Sequence, residues 1–201
     1  MTYTSSKQLS FEEFIIQYGD NTSYELIDGE LRDMQPNGHH EAVAGSIAGR
    51  IYVEIFRNNF NWLIPKNCLL KPLFAQATAL RPDVIILDKS ELIKEPLWQK
   101  EPIICNGSTI KLVAEVVSTN WQDDYARKVE EYAFLNISEY WIVDFMGLGG
   151  LQFIGNPQQP TFTICQLVNG VYQQKQYRLG EPIYSYIFPN LQLQLDEIMP
   201  T

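Results

Sequence analysis

No window of this sequence approaches the roughly 18 consecutive apolar residues that a bilayer-spanning helix needs. The opening residues, MTYTSSKQLS, lack both a basic stretch and an apolar one, so no secretory leader is expected. These absences lead to the expectation of a cytoplasmic protein with no membrane partner. Cysteine is scarce: Cys68, Cys105 and Cys165 are odd in number, far apart and form no C-x-x-C pair. That argues against a disulfide framework and against a zinc knuckle, and leaves them as small core residues. Internal repeats, low-complexity segments and linkers are missing as well, so one domain over residues 1–201 is expected. Positive charge is also in short supply. A net charge of −9 repels phosphate backbones at long range. Nucleic-acid binding would therefore need a local basic patch, for which Lys66, Lys71, Arg81, Lys111, Arg127 and Lys128 are the candidates; scattered solvated charges are the alternative.

What is present is material for a core, since 45% of the 201 residues are hydrophobic and 12% aromatic. Ser10 and Glu13 have the spacing of a capping box, and Phe11, Phe14, Ile15 and Tyr18 follow at helical intervals up to Gly19. Residues 24–34 read as a hairpin about Asp28-Gly29, a pair that readily adopts positive φ. From His40 to about Asn58, Val43, Ile47, Ile51 and Ile55 repeat every fourth residue, which predicts the longest helix. WLIPKN, LLKPLFA and DVIILD read as three strands, and residues 89–107 show no period and read as a surface insertion before a substrate loop. KLVAEVVS is nearly continuous in apolar and β-branched residues, as a central strand would be. A helix over 122–135 and the strand EYWIVDF complete a βαβ-like crossover, which places residues 118–125 near a sheet edge where α/β proteins bind ligands. Short strand patterns follow, with turns at Gly155-Asn156-Pro157 and Asn169-Gly170.

Three carboxylates interrupt these apolar strands: Glu25 in YELI, Asp83 at the head of DVIIL and Glu115 in LVAEVV. A buried carboxylate is costly unless it is paired, hydrogen-bonded or bound to a metal. Two that approach to about 4 Å repel by on the order of 4 kcal/mol at an effective dielectric of 20, a repulsion that a divalent cation turns into attraction. A hard cation such as magnesium accounts for all three together, although each alone could point outward at a strand end. Asp124 and Lys128 are spaced i,i+4, which on an exposed helix face is a minor ion pair. His39 and His40 could contact a phosphate or carry a proton, but a histidine pair ahead of a helix is more often a loop feature. Tyr140 and Trp141 read as core rather than as base-stacking platforms.

In order, YELIDGEL, RPDVIIL, LVAEVVS, the D-x-x-x-K-x-x-x-Y of Asp124, Lys128 and Tyr132, and EYWIVD resemble the Uma family of restriction-endonuclease-like proteins, a branch of the PD-(D/E)xK nuclease superfamily. The resemblance runs from about Phe11 to Asp144 and more loosely to the C-terminus. It implies an α/β (α+β) fold with a restriction-endonuclease-like core: a mixed central sheet flanked by helices, with extra C-terminal strands. It also implies a metal-dependent endonuclease using magnesium or manganese. Asp83 and Glu115 match the metal-binding pair, Glu25 an additional N-terminal acid, and Lys128 a lysine supplied by the following helix. In the plain superfamily motif that lysine lies two residues after the glutamate, where this chain has Val117. The implied partner is nucleic acid, with DNA expected before RNA although no residue separates them; a homodimer is expected on a different ground, the apolar edges that the aromatic, strand-rich C-terminal third offers a twofold partner. Two readings stand beside this one: an inactive nuclease-like module that binds protein or nucleic acid, and a subunit whose role depends on self-association through its aromatic C-terminal third.

Overall fold

Ser10 opens the first helix, α1 (Phe11–Tyr18), with both arms of its capping box made: Ser10 Oγ accepts from Glu13 N at 3.1 Å, and Glu13 Oε2 accepts from Ser10 N at 3.0 Å. The computed structural model describes residues 8–34, 36–72 and 77–200. Strands β1 (Tyr24–Ile27) and β2 (Glu30–Asp33) pair antiparallel, and Asp28 and Gly29 turn between them at φ 51° and 83°. Two successive positive φ angles match the right-handed twist of a hairpin, as the Asp-Gly pair predicts. Helix α2 (Gly38–Arg57) starts two residues before His40 because the Asn37 side chain caps it, accepting from His40 N at 3.0 Å. Val43, Ile47, Ile51 and Ile55 form its buried stripe.

The remaining elements are β3 (Trp62–Leu63), β4 (Leu69–Leu70), β5 (Val84–Asp88), β6 (Ile103–Ile104), β7 (Ile110–Val116), α3 (Lys128–Phe134), β8 (Glu139–Asp144), α4 (Leu151–Ile154), β9 (Thr161–Val168) and β10 (Val171–Tyr177). Six of the strands form one sheet in the order β10-β9-β8-β7-β5-β3. Only β7 and β8 run parallel, joined by the crossover through α3, so the sheet is mixed as expected. The pleat sends Leu112, Ala114 and Val116 of β7 to the α2 face and Val113 to the α3 face. The same alternation turns Glu115 toward α3. Tyr140 and Trp141 are fully buried, which makes them core residues, and the three cysteines are buried and free.

Several sequence expectations change in detail. WLIPKN and LLKPLFA yield only two-residue strands, and residues 73–76 of the latter lie outside the described set. The 89–107 segment is not a surface insertion. Its Ile103–Ile104 strand is buried and pairs parallel with β4, and buried Glu95 accepts from Cys105 N at 2.8 Å, Asn106 N at 3.2 Å and Thr109 Oγ1 at 2.5 Å. A carboxylate tying three donors of its own loop replaces periodic packing, and so leaves no periodic signal. Beyond Gly147 the chain makes one helical turn, the β9–β10 hairpin about Asn169-Gly170, and then a largely irregular segment docked by buried Glu139, which accepts from Tyr186 N and Ser185 Oγ. No helix among the described residues is long and apolar enough to cross a membrane.

Gly107 fixes how closely the crossover helix approaches β7. A Cβ there would lie 1.8 Å from the Leu135 carbonyl oxygen, which follows α3 directly. Gly107→Ala must therefore push that helix end away, and chemical denaturation is expected to show a loss of about 3 kcal/mol, the upper part of the range for overpacking. A variant as stable as the parent would place the helix end elsewhere.

Candidate active site

Three acidic side chains from three segments meet at one ammonium, and a fourth, Asp83, lines the same pocket. Glu25 comes from β1, Asp83 from the residue just before β5, Glu115 from near the end of β7, and Asp124 from the widened π-type turn (Asp123–Arg127) that leads into α3. Lys128 Nζ lies 3.3 Å from Glu25 Oε1, 3.2 Å from Glu115 Oε1 and 3.3 Å from Asp124 Oδ1. Lys128 is 3% exposed and Asp124 6%. The i,i+4 pair is thus interior, not the solvated helix-face pair that spacing alone allows.

Donors from the backbone fix the carboxylates. Asp83 Oδ2 accepts from Val116 N at 2.7 Å, Glu115 Oε2 from Asp83 N at 3.4 Å, and Glu25 Oε2 from Arg81 N at 3.2 Å. Tyr132, one turn beyond Lys128, donates its hydroxyl to Glu115 Oε1 at 2.5 Å. The D-x-x-x-K-x-x-x-Y spacing therefore presents three consecutive turns to one place. His40, which the sequence offers as a phosphate contact or proton carrier but more readily as a loop feature, is a neighbour of the site. It is 6% exposed, with Nε2 2.9 Å from the Val116 carbonyl oxygen and 3.3 Å from Asp83 Oδ2. The Asn37 cap places it in the first turn of α2, but nothing local to it points to Asp83. His39 is exposed.

The set holds more acid than base. Burial pushes the Glu115 carboxyl well above the usual carboxylate range; Lys128 opposes this, and the charges of Asp83, Asp124 and Glu25 add to it. Asp124 is pushed up to about 7, again by burial first, against Lys128. Burial works against the Lys128 charge, yet Glu115, Glu25 and Asp124 hold its pKa well above the ordinary lysine value. The linkage sign follows from the raised carboxyls. Between the ordinary aspartate value and about 7 the folded state binds more protons than the unfolded chain, so stability falls as pH rises through that interval. Denaturation in the presence of EDTA is expected to show a decline of a few kcal/mol across it. A flat profile would mean that these carboxyls do not titrate there.

Glu25, His40, Asp83, Glu115, Asp124 and Lys128 line a small pocket of about 30 Å³, room for a water or a bare ion. A wider groove of about 290 Å³, lined by Asn37, Thr119 and Met146, shares His40, Ser118 and Asn120 with it. Of the two alternatives for the six basic residues, a patch at this site does not form. Lys71 pairs with Glu12, Lys111 with Asp88 and Arg127 with Asp28 and Glu131, while Arg81 donates to Tyr24 O, Gly19 O and Asn67. Of the six candidates only Lys128 lines this pocket, and Lys66 is simply exposed.

A family model described as "Uma2: Putative restriction endonuclease" matches residues 11–196. The chain belongs to the Uma2 family. Among solved structures this Uma2 chain is similar to one described as a "putative nuclease belonging to DUF820" from Anabaena variabilis ATCC 29413. The two share 15% identity and a TM-score of 0.64, over 94% of this chain and 97% of that one. At that identity the likeness establishes the fold alone, a nuclease-like mixed sheet. No curated protein matches the chain. Uma2 membership supports a nuclease-like function, and the resemblance seen in YELIDGEL, RPDVIIL and LVAEVVS is thereby borne out.

Proposed function

We propose that the chain is a metal-dependent nuclease of the PD-(D/E)xK type that hydrolyses phosphodiester bonds in nucleic acid, DNA in the first instance. The observation that carries this reading is the convergence of Glu25, Glu115 and Asp124 on a single ammonium with Asp83 lining the same pocket, which leaves carboxylate charge uncompensated. Among the described residues no three His, Cys, Asp or Glu side chains already surround one point as a metal cluster. The donor chemistry fits a hard divalent cation all the same, being all oxygen and in anionic surplus. Asp83 and Glu115, with Glu25 beside them, would hold magnesium or manganese, which supplies Lewis acidity: a lowered water pKa and an offset to phosphate charge.

The chain's own residues do the rest. Lys128 keeps three carboxylates convergent and places a positive charge where it can orient water or meet charge growing on the leaving oxygen. Tyr132 and the Val116 amide fix Glu115 and Asp83 in single orientations, which reduces reorganisation during reaction. The wider groove offers Ser118, Thr119 and Asn120 to the substrate strand. Two observations favour the second reading, an inactive binding module: Lys128 already closes ion pairs with three of the four acids, and Val117, not a lysine, follows Glu115 by two. Incubating the purified protein with plasmid DNA, single-stranded DNA and RNA decides between them. Cleavage that needs magnesium or manganese and stops with EDTA supports the nuclease; manganese binding without cleavage of any substrate would leave the module.

The homodimer belongs to the same proposal. Among the described residues strand β10 ends the sheet, bonded only to β9, and Val171, Tyr184 and Tyr186 are exposed in the C-terminal third. Sedimentation is expected to give twice 23.2 kDa; the monomer mass would remove this part alone.

A further inference from the structure

The acid cluster, its lysine and its tyrosine leave one neighbouring imidazole without a role. His40 stands on the opposite face of the sheet from Glu115 and Lys128, in the first turn of α2, and reaches the site around the end of β7. Its Nε2 is 2.9 Å from Val116 O and 3.3 Å from Asp83 Oδ2, while its Nδ1 is buried and makes no hydrogen bond; Glu41 Oε1 is 3.8 Å from that Nδ1. A carbonyl oxygen can only accept, so the proton belongs on Nε2, and that N–H is shared between the Val116 carbonyl and the Asp83 carboxylate.

Two donors therefore hold Asp83 Oδ2, one from the Val116 amide at 2.7 Å and one from the ring. Because the ring also grips the Val116 carbonyl, it ties the head of β5 to the end of β7 from outside the acid cluster. The ring is itself fixed, since Asn37 caps α2 by accepting the His40 amide and so sets where the imidazole emerges from the helix. We infer that His40 is a positioning residue that sets the orientation of Asp83 relative to Glu115, and through it the affinity of the site for a divalent cation. This rests on the metal-dependent reading of the site. It adds a residue from an element, α2, that the acidic motif does not include.

Groups that orient metal-binding side chains without touching the ion are worth about 10- to 100-fold in affinity. The test uses two variants. His40→Leu fills the buried volume but removes the N–H; His40→Gln carries an amide N–H at the same reach. Manganese binding by calorimetry is expected to weaken about 10- to 100-fold in His40→Leu and to recover in His40→Gln, with thermal stability of the two variants alike. Cleavage should follow in kcat, with KM for nucleic acid unchanged. A nitrogen-15 spectrum of the ring should show the Nε2–H tautomer and shift on magnesium addition. If His40→Leu binds manganese as the parent does, His40 is only core filling and the inference fails while the metal reading stands. If the parent binds neither manganese nor magnesium, the metal reading fails and takes this role with it.

Discussion

Lys128→Met is expected to destabilise the protein by about 3 to 5 kcal/mol at neutral pH, the range for removing one partner from a buried ionic set. The side chain is 3% exposed and faces Glu25, Glu115 and Asp124 at 3.2–3.3 Å. Methionine matches the lysine stem in bulk, so little of the loss comes from packing. The variant is left with three interior carboxylates facing one another and no counter-charge. Such a cluster has two ways to recover, taking up protons or taking up a cation. The deficit should accordingly shrink in acid, and it should shrink when millimolar magnesium is added at neutral pH, in proportion to ln(1 + [L]/Kd). Urea denaturation at two pH values, with and without magnesium, reads all of this in one series. A loss below 1 kcal/mol at neutral pH, unaffected by either treatment, would show that the ammonium does not hold the cluster together.

Asp83→Asn and Glu115→Gln should each lower cleavage by at least about 100-fold while leaving the fold intact. The amide in Asp83→Asn keeps an oxygen for the Val116 N–H, and that in Glu115→Gln keeps one for the Tyr132 hydroxyl, giving up only the long 3.4 Å contact with the Asp83 N–H. Both substitutions also remove a charge from a surplus. Thermal stability in EDTA is therefore expected to hold or to rise as activity disappears, the opposite of what a structural acid would do. Residues selected for chemistry commonly cost stability in this way. An Asp83→Asn protein that cuts at the parent rate would remove Asp83 from the reaction, and one that loses activity together with several degrees of melting temperature would mark it as structural.

Sequence patterns that depend on neighbours were readable, and those that depend on where distant segments meet were not. The Ser10 box, the Asp28-Gly29 turn, the α2 stripe and the β7 run are local, and each appears where its spacing predicts. Glu25, Asp83 and Glu115 were visible because a carboxylate inside an apolar strand costs free energy without a partner. Their partners were harder to read. Asp124 and Lys128 satisfy the same spacing on a wet helix face and on a buried one, and only the docking of α3 against β7 distinguishes the two. His40 contacts an atom 76 residues away, so no window around it carries the signal. The 89–107 segment lacked periodicity because Glu95 orders it through its own backbone donors.

The π-type turn at Asp123–Arg127, where the Lys128 amide donates five residues back to Asp123, works as a phase-setter for the helix after it. Each residue added to or removed from an α-helix rotates the succeeding side chains by about 100°. A one-residue deletion in that turn would swing Lys128 and Tyr132 off the Glu115 azimuth together while α3 remained helical. Length polymorphism should therefore be forbidden between residues 123 and 127 but tolerated at the Asn169-Gly170 hairpin tip, and a deletion scan read by solubility and by cleavage would separate the two behaviours.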